Sequence, residues 1–205
     1  MNVRKTVGFM VAIGVLISCL TPASIFAETG EDKTEPGGDK PILIIGKKPE
    51  PESESLWYSD KNPMKKEHQK LLWDYCQQRG LDYIDMLALI SVESNFNEKC
   101  STSGYKGYFQ IGTGHGPNLS KALDTENKPL DGAININWGT AMYSWILADE
   151  RVKDLTGKAK RDAALSVYQR GTGGYDKYGL NASYLKKYYA KWDIVRSWFG
   201  LPKQQ

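Results

Sequence analysis

The chain has 205 residues, 40% hydrophobic and 25% charged, with 27 Lys and Arg against 24 Asp and Glu and a formal net charge of +3. That apolar fraction is too high for a wholly disordered chain, and basic residues cluster only in short pairs, which argues against a nucleic-acid partner. Three cysteines and two distant histidines, His68 and His115, lack ligand spacing, so no metal or other cofactor is expected.

Residues 1–27 read as an export signal. Arg4 and Lys5 form a positive start, Thr6 to Leu20 is apolar, and TPASIFA ends on the small residue Ala27, predicting cleavage before Glu28. A membrane anchor is the weaker alternative, since the apolar run is barely long enough to span. Leu16-Ile17-Ser18-Cys19 also matches a bacterial lipoprotein box, which would tether the chain at Cys19 to the outer face of the membrane. The secreted form is favoured because apolar residues and a good cleavage site continue beyond Cys19.

Beyond the signal the chain carries 25 basic and 24 acidic residues, unevenly placed. Residues 28–62 hold 5 basic and 9 acidic residues, leaving 20 against 15 for residues 63–205. A mildly cationic body behind an acidic leader suits an anionic polymer. With five prolines and four glycines in residues 28–63, and one short apolar run at Ile42 to Ile45, residues 28–62 are expected to be a largely disordered linker. The folded domain is expected over 63–205, enough chain for one core.

From Pro63 the pattern turns helical. Lys65 to Arg79 places Leu71, Leu72, Tyr75 and Cys76 inward and stops at Gly80. Asp82 to Ser94 is apolar nearly all round and reads as a buried central helix. Ser101 to Gly116, rich in Gly and aromatic residues, fits a short β-hairpin or an irregular cleft wall. Helices are predicted over Gly132 to Asp149, from about Lys160 to Gln169 with an end at GTGG (171–174), and from Asn181 or Ala182 to Trp198. The class is mainly α with a small β-hairpin element.

Glu93 stands out within ALISVESNF (88–96). Met86, Leu89 and Ile90 lie seven, four and three residues before it, so on a helix the carboxylate shares an apolar face. Leu89, Ile90, Phe96 and Asn97 occupy the positions three and four residues away, so no local cation pairs with it. Burial would raise its pKa and suit it to donate a proton. A solvated glutamate, or one paired from elsewhere in the fold, is the alternative reading.

In an oxidising compartment Cys76 and Cys100 invite a disulfide worth roughly 3–4 kcal/mol. Two free thiols are the alternative.

Four motifs in order resemble the lytic transglycosylases of the soluble-lytic-transglycosylase type, which share the lysozyme-like fold. Glu93-Ser94 is similar to that family's catalytic Glu-Ser. Gly107-Tyr108-Phe109-Gln110-Ile111 resembles its G-L-M-Q-I. Asn135-Ile136-Asn137-Trp138-Gly139 resembles its N-I-x-x-G, and Ala163 to Gly171, with Tyr168-Gln169-Arg170-Gly171, its A-L-x-x-Y-N-x-G. The set spans about residues 66–195.

The resemblance implies an exported bacterial enzyme that acts on peptidoglycan glycan strands and cleaves the β-1,4 bond between N-acetylmuramic acid and N-acetylglucosamine. Glu93 would serve as the single general acid and then base, leaving a 1,6-anhydro sugar. A retaining or inverting hydrolase would need a second carboxylate, and none of Glu98, Asp124, Glu126 or Asp131 has a motif around it. By the same resemblance Ser94 would bond the substrate or its own helix, Gly107 would permit a tight turn, and Gln110 would bind the N-acetyl region. Tyr108, with Tyr105 and Phe109, would stack on sugar or be buried, and Tyr168 would orient Glu93. Gln169 replaces the family's Asn with one more methylene. A water-using muramidase of the same fold and a non-catalytic wall-binding module are the competing expectations, a chitin-active enzyme a more distant one. The protein is expected to be a monomer at the cell wall.

Overall fold

Residues 53–202 are described in the computed structural model of the protein. The expected export signal, Cys19 and residues 28–52 of the expected linker lie outside the described residues. Among the described residues no helix is long and apolar enough to cross a membrane.

The chain is mainly helical with one small sheet, as expected. In order come α1 (Lys66–Arg79), α2 (Tyr83–Ser94), β1 (Ser101–Thr102), β2 (Tyr105–Lys106), β3 (Ile111–Gly112), α3 (Gly116–Ala122), α4 (Gly132–Ala148), α5 (Gly157–Tyr178) and α6 (Ala182–Trp198). α2 packs chiefly on α6, and α1 on α4. Leucine, isoleucine and aromatic side chains from α1, α2, α4, α5 and α6 share one core with Phe109 and Ile111 of the sheet region.

Helix ends follow their capping chemistry. Gly80 closes α1 in the left-handed conformation (φ 63°), its N–H on the Cys76 and Gln77 carbonyls. Asp82 and Asp131 cap α2 and α4 by accepting from Asp85 N (2.9 Å) and Ile134 N (3.0 Å). α2 earns the reading of a central helix: nine of its twelve residues are buried.

The folded body begins earlier than Pro63. Trp57 and Met64 are buried, and the Tyr83 hydroxyl donates to the Trp57 carbonyl at 2.7 Å. Gln69, fully buried on α1, accepts from Ser59 N (3.1 Å) and donates to the Met64 carbonyl (2.9 Å). Composition marks residues 53–62 as linker, but the buried Gln69 amide fastens them to α1 and the buried Trp57 fastens them to Tyr83 of α2.

The sheet has order β1-β2-β3, antiparallel throughout, with Thr102 opposite Tyr105 and Lys106 opposite Ile111. The two-residue turn between β1 and β2 uses Ser103 (φ 43°) and Gly104 (φ 88°), the positive-φ pair that a tight hairpin needs. The predicted hairpin thus gains a third strand. In α5 the predicted end at GTGG is an interruption: Gly171 alone leaves helical geometry (φ 71°, ψ 167°), and the helix resumes to Tyr178.

Cys76 and Cys100 are free thiols, contrary to the expected disulfide. Cys76 is fully buried near the C-terminal end of α1. The stretch before Cys100 is fixed at the other end of that helix, because Glu98 pairs with Lys65 (2.9 Å) and sits beside His68 (3.5 Å). His68 and Cys76 are eight residues apart on one helix, about 12 Å along its axis, whereas bridged cysteines need Cα atoms within about 7 Å.

Candidate active site

Glu93 lies in the last turn of α2, partly buried, where Asn95 (φ 48°) and Phe96 (φ 64°) turn the chain away through two left-handed residues. Burial of Phe96 against Trp198, ring centroids 5.5 Å apart, offsets the strain of that turn. One Glu93 oxygen accepts a hydrogen bond from the Tyr184 hydroxyl, brought by the first turn of α6 from 91 positions away in sequence. Burial pushes the Glu93 carboxyl above its ordinary range, and the Tyr184 hydrogen bond draws it partly back. Among the described residues no other charged group acts on Glu93. Burial and the neighbouring carboxylate in turn push the Tyr184 phenol upward, so it stays a proton-bearing donor.

The orienting hydroxyl expected from Tyr168 therefore comes from Tyr184. Tyr168 is close enough for the Glu93 charge to raise its pKa further, after burial, but its hydroxyl donates to the Phe109 carbonyl at 2.6 Å. That bond ties α5 to the β region. The sequence gives no local signal for Tyr184, because nothing within its own helix distinguishes it from Tyr188 or Tyr189.

The remaining predicted residues divide between floor and frame. The Ser94 hydroxyl is buried and donates to the Ile90 carbonyl at 3.2 Å, so it bonds its own helix. Gln110 holds the β region: its Oε1 accepts from Thr102 Oγ1 (2.6 Å), and its Nε2 donates to the Gly107 carbonyl (2.8 Å). Gln110 itself has φ 46°, and its amide is hydrogen-bonded within the β region. Tyr108 is 2% exposed, with its hydroxyl 3.0 Å from His68 Nδ1 on α1, so it is a buried strut and not a sugar platform. Tyr105, by contrast, is exposed on β2. Gln169 is exposed and accepts from Asn181 Nδ2 at 2.7 Å, joining the middle of α5 to the start of α6.

Gly107, Asn135 and Gly139 are one mechanical unit. Asn135 is fully buried; its Oδ1 accepts from Phe109 N (2.9 Å) and its Nδ2 donates to the Lys106 (3.0 Å) and Pro129 (2.9 Å) carbonyls. At Gly107 (φ 75°) a Cβ would run into Asn135 and into the Pro129 carbonyl at 2.7 Å. At Gly139 a Cβ would enter the Phe109 ring. The motif glycines thus let the wall of the site press against α4, and Asn135 pins it there. Replacing Asn135 with Ala removes three hydrogen bonds, one buried and two partly buried, and orphans their backbone partners. A loss of about 3 kcal/mol is expected, read by urea unfolding.

A partly buried carboxyl with one phenol donor and, among the described residues, no neighbouring charge can give up a proton and then take one back. Tyr184→Phe leaves the ionised form of Glu93 with one donor fewer, so its pKa should rise further. The alkaline limb of any activity that needs the acid form should move to higher pH, with kcat lowered about tenfold and the melting temperature held within a few degrees. A pH profile unmoved by that change would separate Tyr184 from Glu93 function.

The fold class that these elements define, helices around a buried acid-bearing helix with a small three-stranded sheet, is that of a solved lytic transglycosylase. The chain is similar to the crystal structure of an inactive mutant of lytic transglycosylase Slt from Pseudomonas aeruginosa, with a TM-score of 0.52 at 16% sequence identity. The match covers 69% of this chain and 25% of that one, so the chain spans about a quarter of its length. No family model and no curated protein matches the sequence.

Proposed function

We propose that the protein is an exported peptidoglycan lytic transglycosylase, acting at the bacterial cell wall as a monomer with Glu93 as its single acid and base. The observation that carries this reading is the environment of Glu93: burial raises its pKa, the Tyr184 hydroxyl donates to it, and among the described residues no charged group acts on it. A hydrolase of either stereochemistry would place another carboxylate across the scissile bond.

The step balances with one residue. Glu93 gives its proton to the glycosidic oxygen as the bond to the anomeric carbon breaks, and the N-acetylglucosamine leaves as an alcohol. The 6-hydroxyl of the same muramic acid then bonds to that carbon and returns its proton to Glu93. Tyr184 holds the carboxylate in place between the two transfers. Gly107 and Asn135 keep the β wall against α4 beside it.

Mass spectrometry of muropeptides released by the purified protein tests the reading. Products one water lighter than their reducing-end counterparts are expected. Reducing-end sugars would assign a water-using muramidase, and wall binding without release would assign a non-catalytic module.

A further inference from the structure

The last turns of α5 beyond the break at Gly171, with the link from Gly179 to Asn181, connect the two tyrosines that border Glu93. The first stem of this stretch follows Tyr168, on which the Glu93 charge acts, and its second precedes Tyr184, which bonds Glu93. The stems are fastened to each other by Asn181 Nδ2 to Gln169 Oε1 (2.7 Å) and Asn181 N to Ser166 Oγ (3.0 Å). Arg170 stands two residues after Tyr168, so their Cα atoms are about 7 Å apart at most. This stretch therefore begins next to one of the tyrosines that border Glu93 and ends next to the other.

The start of this stretch carries an unusual group. Among the described residues the Arg170 guanidinium has no hydrogen-bond or ion-pair partner, and its Nε is buried and unsatisfied. It lies over the Tyr178 ring, 5.5 Å from the centroid, while Lys177 Nζ lies 4.9 Å from the same centroid. Tyr178 is 61% exposed. Asp176 is held by Arg151 through a two-pronged contact (2.5 and 2.7 Å) that fastens the segment to the turn after α4. Gly174 allows the segment to lie on the Arg170 stem, since a Cβ there would stand 2.9 Å from Arg170 Cβ. A planar guanidinium with unpaired donors matches a carboxylate, and the exposed Tyr178 phenol beside it offers contact area for a sugar.

We infer that Arg170 and Tyr178 form a subsite that selects a saccharide unit carrying a carboxylate. The inference rests on the glycan reading above and deepens it: Tyr178 supplies stacking area common to any sugar, and Arg170 supplies the discrimination for acid. The carboxylate can come from the lactyl ether of the sugar or from an attached peptide.

Calorimetric titration of the Glu93→Gln protein with three glycans tests this: a neutral N-acetylglucosamine tetramer, a peptide-free wall glycan with free lactyl carboxylates, and a peptide-bearing wall glycan. The acidic glycans should bind about tenfold more tightly than the neutral one, and the one that gains more identifies the source of the carboxylate. Adding Arg170→Gln should erase that preference and leave the neutral tetramer unchanged, whereas Arg170→Lys should retain part of it. Tyr178→Ala should weaken all three. A preference that survives Arg170→Gln, or a loss equal for neutral and acidic glycans, overturns the inference alone. Failure of the Glu93→Gln protein to bind any of the three overturns the glycan reading with it.

Discussion

Glu93→Gln is expected to lower wall-clearing activity by a factor of at least about 10³ while leaving the protein folded. The amide keeps the shape of the side chain and can still accept from the Tyr184 hydroxyl, so the packing of α2 on α6 is retained. What it loses is a transferable proton, a contribution of typically 10²–10⁴ in rate for general acid catalysis alone, and here the same group serves twice. Stability should move the other way. A buried carboxyl whose pKa is raised in the fold binds its proton more tightly folded than unfolded. Its contribution is therefore full below the unfolded pKa and is lost as pH rises through the folded one. Gln does not titrate, so the melting temperature of Glu93→Gln relative to the natural protein should climb between acid and neutral pH. Turbidity clearance and thermal scans across that range check both halves. Activity retained by a well-folded Glu93→Gln would place the acid elsewhere.

Most of the frame is legible in the sequence because it is local. Gly80 after an amphipathic run, Asp82 and Asp131 at helix starts, and the glycine-rich 101–116 each act through neighbours a few residues away. Glu93 is legible for the same reason, since its apolar face lies on its own helix. The differences arise where a side chain's partner is set by how the chain folds back and not by helical or strand spacing. Tyr168 and Tyr184 are both aromatic residues on amphipathic helices, and only the docking of α6 on α2 decides which hydroxyl meets Glu93. Tyr108 reads as a sugar platform until His68 of α1 covers it. Gln110 reads as a recognition amide until Thr102 and Gly107 claim its polar atoms. Residues 53–62 have the composition of a linker, and the buried amide of Gln69 and the Tyr83 bond to Trp57 show where they attach.

Arg161→Met is expected to be the most damaging single change to the fold, and its cause lies in one buried carboxylate. Asp85 sits in the first turn of α2, 8% exposed, with Oδ2 2.8 Å from Arg161 Nε of α5 and Oδ1 accepting from Trp192 Nε1 of α6 at 2.7 Å. The Arg161 guanidinium also lies over the Trp192 ring, 5.0 Å from its centroid, so three helices meet at this point. Burial, with Asp82 nearby, raises the Asp85 pKa, and Arg161 and Trp192 oppose that rise. Methionine fills the arginine stem but leaves the carboxylate without its cation, a change that costs about 3–5 kcal/mol at neutral pH. That is a large part of the roughly 5–15 kcal/mol that stabilises an ordinary domain, and should lower the melting temperature by about 10 °C or more. The sign of the pH dependence identifies the mechanism. With Arg161 gone, burial is opposed only by the Trp192 hydrogen bond and the folded-state pKa of Asp85 rises further, so the variant should recover stability relative to the natural protein as pH falls and the carboxyl takes up a proton. Asp85→Asn combined with Arg161→Met removes the buried charge and should be more stable at neutral pH than Arg161→Met alone. If the deficit of Arg161→Met is instead the same at acid and neutral pH, lost packing on Trp192, and not the stranded charge, sets the cost. Because Asp85 and Glu93 stand eight residues apart on the same helix, loosening the first also shifts the second, and wall-clearing activity should fall in the variant even at temperatures where it remains folded.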